Sequence, residues 1–300
     1  MENRNKIDLK KENTMEIPKS NLHEFLEKNT GYKILKRRED TIIIQLPDGE
    51  LLKILNDALL EMIADTGFDL EERLEEIPNL IDFNHFALPT RMLEQNGVVN
   101  SYTMPYIPGV DFTDYYENIF DLMSYADIHF QIEENIKEGH KNKIIFPDLC
   151  TTENIRITKD GKVFFIDYDG LQIKEMSPVG FSDFLGRPSE VLTRKYYDFD
   201  TGLFTKEIDI KSAIFLYFVD VFGVNLAMVN RKNPWTGQKV TLDIIFHLIN
   251  LQEPSIQHKV WKLFQQSVHN EFLGEDMYRL AEKYKLMRMP NMEIKRLIRK

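Results

Sequence analysis

The chain changes character at Pro108-Gly109, and that change limits its architecture. Upstream, short apolar runs alternate with tight turns. Tyr32-Lys33-Ile34-Leu35 leads into the charged turn Lys36-Arg37-Arg38-Glu39-Asp40. Thr41-Ile42-Ile43-Ile44-Gln45-Leu46 comes next, then Pro47-Asp48-Gly49, then Leu51-Leu52-Lys53-Ile54-Leu55. Pro presets φ, Asp bonds its own backbone and Gly takes positive φ, so that tripeptide reverses a strand. Three strands of a small antiparallel sheet are expected. Val98 to Ile107 reads as a further hairpin turned at Asn96-Gly97, a dipeptide suited to a two-residue reversal. Residues 57–64 and 69–77 carry helical spacing.

Downstream, Ile119 to Lys137 reads as a long helix. Ile144–Phe146, Ile155–Ile157 and Val163–Ile166 read as short strands, the last two joined at Lys159-Asp160-Gly161. From Ile208 onward the pattern is almost wholly helical. The expected fold class is α+β in two lobes. Its parts are a loose arm over residues 1–20, a β-rich lobe over 21–108 and a helical lobe over 109–300.

Several function classes are disfavoured. The net charge of −10 argues against a protein that coats nucleic acid. One cysteine, Cys150, allows neither an internal disulfide nor a cysteine zinc site, and a reducing cytoplasm is the expected setting. Residues 1–20 are polar with no apolar core, so no secretory leader is expected. The apolar run Ser212 to Val229 contains Asp220, Gly223 and Asn225 and reads as a buried helix, not a membrane span.

Chemistry concentrates around the hairpin of residues 155–166. Asp148 lies on the loop before it, Asn154 a turn later, and Asp167-Tyr168-Asp169-Gly170 directly after it. A hard divalent cation takes oxygen ligands, and Mg²⁺ commonly uses one or two protein carboxylates plus phosphate oxygens. Asn154 and Asp167 can supply such oxygens, with Asp148 beside them to orient an attacking hydroxyl.

In this set the chain resembles the protein kinases. Their catalytic loop has the form H-R-D-L-x-x-x-N and is followed by D-F-G. Here Asp167-Tyr168-Asp169 stands at the D-F-G position, with Gly170 one place late. The resemblance implies Lys53 as the lysine of V-A-I-K that holds the α/β-phosphates, paired with a helix glutamate, Glu75 or its neighbour Glu71. It implies a hinge at Thr103 to Gly109, with Met104 as gatekeeper, the Pro105 carbonyl and Ile107 N–H on adenine, and Asp111 near the ribose. Asp169 is implied either as a further metal ligand or as an activation-segment residue. Pro188-Ser189-Glu190 resembles A-P-E, and Asp209 would brace the catalytic loop from the start of a buried helix. The expected ligands are ATP and Mg²⁺.

The pattern also departs from that family. Lys36-Arg37-Arg38-Glu39-Asp40 replaces a glycine-rich phosphate loop, whose glycines let backbone N–H groups approach phosphate. Phe146-Pro147 replaces His-Arg, Cys150 replaces a lysine, and the Asp148–Asn154 interval is one residue longer than in that pattern. The resemblance leaves three functions open. The first is an atypical protein kinase acting on a protein hydroxyl. The second is a pseudokinase that binds nucleotide and regulates a partner protein. The third is a small-molecule phosphotransferase of the choline or aminoglycoside kinase type.

Overall fold

The structure is a computed structural model describing residues 17–38, 40–56, 59–61, 69–76, 85–112, 114, 124–149, 152–178, 196–224, 237–269, 271–288 and 296. It is a mixed α+β fold with a small, mostly antiparallel sheet followed by helices.

The first part holds β1 (Lys19–Asn21), α1 (Leu22–Lys28), β2 (Lys33–Arg37), β3 (Thr41–Gln45), β4 (Leu51–Leu55), α2 (Leu70–Glu75), β5 (Arg91–Gln95) and β6 (Val98–Met104). The sheet order is β1-β5-β6-β4-β3-β2. All neighbours run antiparallel except β1, which lies parallel to β5. Residues 19 and 20 therefore belong to a strand, not to the loose arm expected there. Asn21, the last residue of that strand, caps α1. Its side chain accepts the N–H groups of His23 and Glu24 at 3.0 and 3.2 Å, satisfying donors that a helix start leaves orphaned.

The turns form as their residues dictate. Gly49 has φ +94°, and Leu46 N–H reaches the Glu50 carbonyl at 2.8 Å. Asn96 and Gly97 both have positive φ, at 54° and 82°, which matches the twist of a two-residue hairpin. That hairpin joins β5 to β6, so the strand partner of Val98–Met104 lies upstream of the turn.

The second part holds β7 (Val110–Asp111), α3 (Tyr125–Lys141), β8 (Ile144–Ile145), β9 (Ile155–Ile157), β10 (Val163–Phe165), β11 (Gln172–Ile173), β12 (Tyr197–Asp198) and β13 (Leu203–Phe204). It ends with α4 (Glu207–Phe222), α5 (Gly237–Leu251), α6 (Pro254–Val268) and α7 (Glu275–Tyr284). The helix expected to stop at Lys137 runs to Lys141. Its apolar stripe continues through Ile132 and Ile136 to Gly139, where a Cβ would stand 2.4 Å from the Phe146 ring. Asn142 closes it by donating its N–H to the carbonyls of Glu138 and Gly139. β9 and β10 form the expected hairpin, with β7 on the other side of β9. Among the described residues, no helix is long and apolar enough to cross a membrane.

Side-chain alternation along β4 sorts the core. Leu52 and Ile54 join Ile44, Leu46 and Leu93 in the cluster beneath α1. Leu51 and Leu55 point the other way and pack with Tyr102, Met104, Phe165, Tyr168 and the α3 stripe. Lys53 shares that second face. The two parts also meet through backbone: Phe165 N–H donates to the His85 carbonyl at 2.9 Å, and Ala87 N–H to the Phe165 carbonyl at 3.0 Å. Gly109 permits a further close approach, since a Cβ there would lie 2.3 Å from the Ile157 carbonyl oxygen.

Candidate functional site

Lys53 lies at the centre of β4, directly opposite Tyr102 on β6. Opposed residues of an antiparallel pair project from the same face. Both side chains therefore reach the segment that comes after β10. Lys53 Nζ donates to Asp167 Oδ1 at 2.5 Å and to Asp169 Oδ1 at 2.6 Å. The Tyr102 hydroxyl donates to the same Asp169 oxygen at 2.6 Å. Lys53 is 6% exposed and Asp169 5%.

This burial sets the electrostatics. Desolvation alone would lower the Lys53 pKa, but the carboxylates of Asp167 and Asp169 outweigh it and hold the ammonium well above the ordinary lysine value. Desolvation likewise pushes Asp169 up, and the Lys53 cation and Tyr102 hydroxyl bring it below the usual carboxylate range. Burial and the adjacent Asp169 raise the Tyr102 phenol.

Asp167 adopts φ 81°, a left-handed conformation that costs a non-glycine residue about 1–3 kcal/mol. Local contacts hold it there. Gly170 N–H donates to the Asp167 carbonyl at 3.2 Å, and Ile166 N–H to the Asn154 carbonyl at 2.9 Å. A Cβ at Gly170 would stand 2.7 Å from Asp167 Oδ2, so the glycine makes room for the carboxylate.

Asn154 ends a single 3-10 turn, Thr152–Asn154. Its amide donates to Asp148 Oδ2 at 3.2 Å and to the Asp148 carbonyl at 3.3 Å. Asp148, Asn154 and Asp167 line one small pocket of about 20 Å³. The expected acid, amide and second acid therefore share a site, with Lys53 attached through Asp167. A roomier cavity of about 620 Å³, lined in part by Glu72, Glu76, His140 and Lys174, contains none of these four residues.

The loop before Asp148 is braced from α4. Phe146 N–H donates to Asp209 Oδ1 at 2.9 Å, and His140 Nε2 lies 2.7 Å from Asp209 Oδ2. Burial pushes the Asp209 carboxyl up to about 6, against the opposing pull of His140 and the Phe146 N–H. The bracing contact expected of Asp209 is present. His140 lies past the end of the helix that the sequence pattern suggested, so nothing in the sequence singled it out.

The other expected site residues fall on α2, at the end of β6 and in β7. Glu75 is exposed on α2, and Glu71 pairs with Lys19 at 2.7 Å. The charged side chain that α2 buries, beside Leu70 and Leu74, is Arg73, 1% exposed. Its guanidinium donates to the carbonyls of Leu171, Ser177 (2.7 Å) and Tyr168 (3.4 Å). Met104 is buried and opposes Leu51, while Pro105 and Ile107 are half-buried beyond the end of β6. Asp111 lies in β7, and its carboxylate accepts the Asp114 N–H at 2.8 Å. Cys150 and Pro188-Ser189-Glu190 lie outside the described residues.

The basic turn does more than face solvent. Lys36 and Arg38 reach Glu153, next to Asn154, at 2.7 and 3.0 Å. Among the described residues, no three His, Cys, Asp or Glu side chains form a metal cage. The donors at hand, the Asn154 amide and the Asp167 carboxylate, fit Mg²⁺, which needs few protein ligands when phosphates complete its shell. No protein-family model matches the chain, and no curated protein matches it.

Proposed function

We propose that this chain is an atypical protein kinase of two lobes, sheet and helices, that moves the ATP γ-phosphoryl group to a protein hydroxyl. One observation carries the reading. Lys53 of the sheet bonds Asp167 at 2.5 Å, and Asp167 shares a pocket with Asn154 and Asp148. An ammonium has three donors, so two carboxylates leave one for a phosphate oxygen. Asn154 and Asp167 would hold Mg²⁺, which supplies positive charge to the phosphates when bound. Asp148 orients the acceptor hydroxyl and takes its proton. The hydroxyl oxygen bonds to the γ-phosphorus, the bond to the β–γ bridging oxygen breaks, and ADP leaves with that electron pair.

Catalysis of this kind is mostly positioning and charge neutralisation. The Asp209 contact to Phe146 N–H supports it by fixing the loop that carries Asp148. The test is transfer of labelled γ-phosphate from ATP with Mg²⁺ or Mn²⁺, by wild type and by Asp167→Ala, to protein and small-molecule acceptors. Transfer lost in the variant supports a phosphotransferase, and the acceptor class separates a protein kinase from a small-molecule kinase.

A second reading is a pseudokinase that binds nucleotide without transfer. The state of Asp148 favours it: the residue is 7% exposed and its carboxylate already accepts the Asn154 amide. Nucleotide binding by thermal shift, with no transfer to any acceptor, supports this reading over the first.

A further inference from the structure

We propose that Asp169, fixed by Tyr102, is the positioning carboxylate of Lys53, and that α2 acts on the site through Arg73 instead of through a glutamate. The inference rests on the reading of Lys53 as the phosphate lysine.

The carboxylates of α2 do not face the site. Glu71 is turned to Lys19, Glu72 and Glu75 are exposed, and Glu76, the residue after α2, pairs with Lys174 at 2.5 Å. Asp169 is placed where such a glutamate would be needed. It is buried, and its Oδ1 receives both Lys53 and Tyr102 at 2.6 Å. The register that opposes Lys53 and Tyr102 makes the arrangement a property of the sheet. The hydroxyl fixes the carboxylate, and the carboxylate fixes the ammonium. Asp167, half-buried and lining the pocket with Asn154, is left as the carboxylate of the metal side.

The inward side of α2 has a different task. Arg73 spans the backbone on both sides of Asp169, with donors to Tyr168 and Leu171 carbonyls. The Tyr168 hydroxyl in turn donates to the Arg73 carbonyl at 2.5 Å. The ring of Tyr168 is fully buried between Phe86 and Tyr102. The helix therefore clamps the chain that carries Asp169. A displacement of α2 would be carried to Lys53 through that segment.

The experiment measures ATP affinity by calorimetry as a function of Mg²⁺ for wild type, Asp169→Asn, Tyr102→Phe and Glu75→Gln. It adds the Nζ resonance of Lys53 in ¹⁵N-lysine-labelled protein, assigned with Lys53→Arg. Asp169→Asn should weaken ATP binding at saturating Mg²⁺ by about tenfold or more and leave the Mg²⁺ midpoint unchanged. It should also abolish the slow-exchanging Lys53 signal. Tyr102→Phe, which removes one hydroxyl, should weaken binding severalfold and keeps the test open if Asp169→Asn misfolds. Glu75→Gln should leave both readouts at wild-type values. A raised Mg²⁺ midpoint with unchanged affinity at saturation makes Asp169 a metal ligand and overturns the proposal. So does a Glu75→Gln loss equal to that of Asp169→Asn. If wild type binds no nucleotide, the kinase reading fails separately. The Lys53 resonance then decides alone: loss in Asp169→Asn supports the positioning role, and persistence there overturns it.

Discussion

Replacing Lys53 by Met should destabilise the fold through the carboxylates it abandons. The side chain is 8% exposed and faces Asp169 at 7% and Asp167 at 29%. Breaking a buried ion pair by removing one partner costs about 3–5 kcal/mol, because the other charge stays buried. Asp167 can turn toward solvent, so most of the loss comes from Asp169, and the lower end, about 3 kcal/mol, is expected. That is a large share of the roughly 5–15 kcal/mol by which a domain is stable. The loss should depend on pH. In the wild type, Lys53 and Tyr102 hold the Asp169 carboxyl low, so its contribution is present above the unfolded carboxyl pKa and is lost as pH falls. Without Lys53, burial pushes that carboxyl up. It then takes a proton in mild acid, and the gap between variant and wild type narrows. Urea unfolding with a common slope measures the difference. Lys53→Met/Asp169→Asn should recover most of the stability lost in the single variant. A single-variant cost below about 1 kcal/mol, or a double variant as weak as the sum of both singles, refutes the reasoning.

Asp209 makes a prediction of opposite sign. Its folded pKa of about 6 lies above the ordinary 3.8, so between those values the native chain binds the extra proton. Stability from this group is present below the lower value and lost as pH rises through the upper one, on the order of 3 kcal/mol in total. Asparagine lacks that dependence. The stability of wild type relative to Asp209→Asn should therefore fall between about pH 4 and pH 7, and a flat difference in urea midpoints would contradict the assignment. Gly109→Ala forces a Cβ to within 2.3 Å of the Ile157 carbonyl oxygen, where backbone must shift. A loss of about 1–3 kcal/mol is expected, read by thermal melting, and an unchanged melting temperature would refute it. Glu153→Gln releases Lys36 and Arg38 from half-exposed ion pairs. It should change stability by less than about 1 kcal/mol. It should tighten ATP binding severalfold if those cations then turn to phosphate, and unchanged affinity in low salt would show that they do not.

Local chemistry was legible along the chain. Pro47-Asp48-Gly49, Asn96-Gly97 and Lys159-Asp160-Gly161 stand between strands because each depends on its own φ preferences and little else. The set Asp148, Asn154 and Asp167 was legible as well, since the short β9–β10 hairpin between them leaves few ways to separate its two ends. The buried helix around Asp209 announced itself by apolar residues on every side. Contacts between distant segments were not legible. Glu71, Glu72, Glu75 and Glu76 offered four carboxylates of similar type, and only the rotation at which α2 packs turns Arg73 inward and these outward. The strand β1 and the β8–β11 pairing were equally hidden, because two or three residues carry no readable period. Lys53 finds Asp169 from 116 positions away, and Tyr102 joins them through strand register. By itself the sequence determined the turns and the helical stretches, and it put Asp148, Asn154 and Asp167 around one short hairpin. The tertiary structure alone decided which carboxylate holds the lysine, because that choice depends on how sheet, helix and loop pack and not on any residue's own preference.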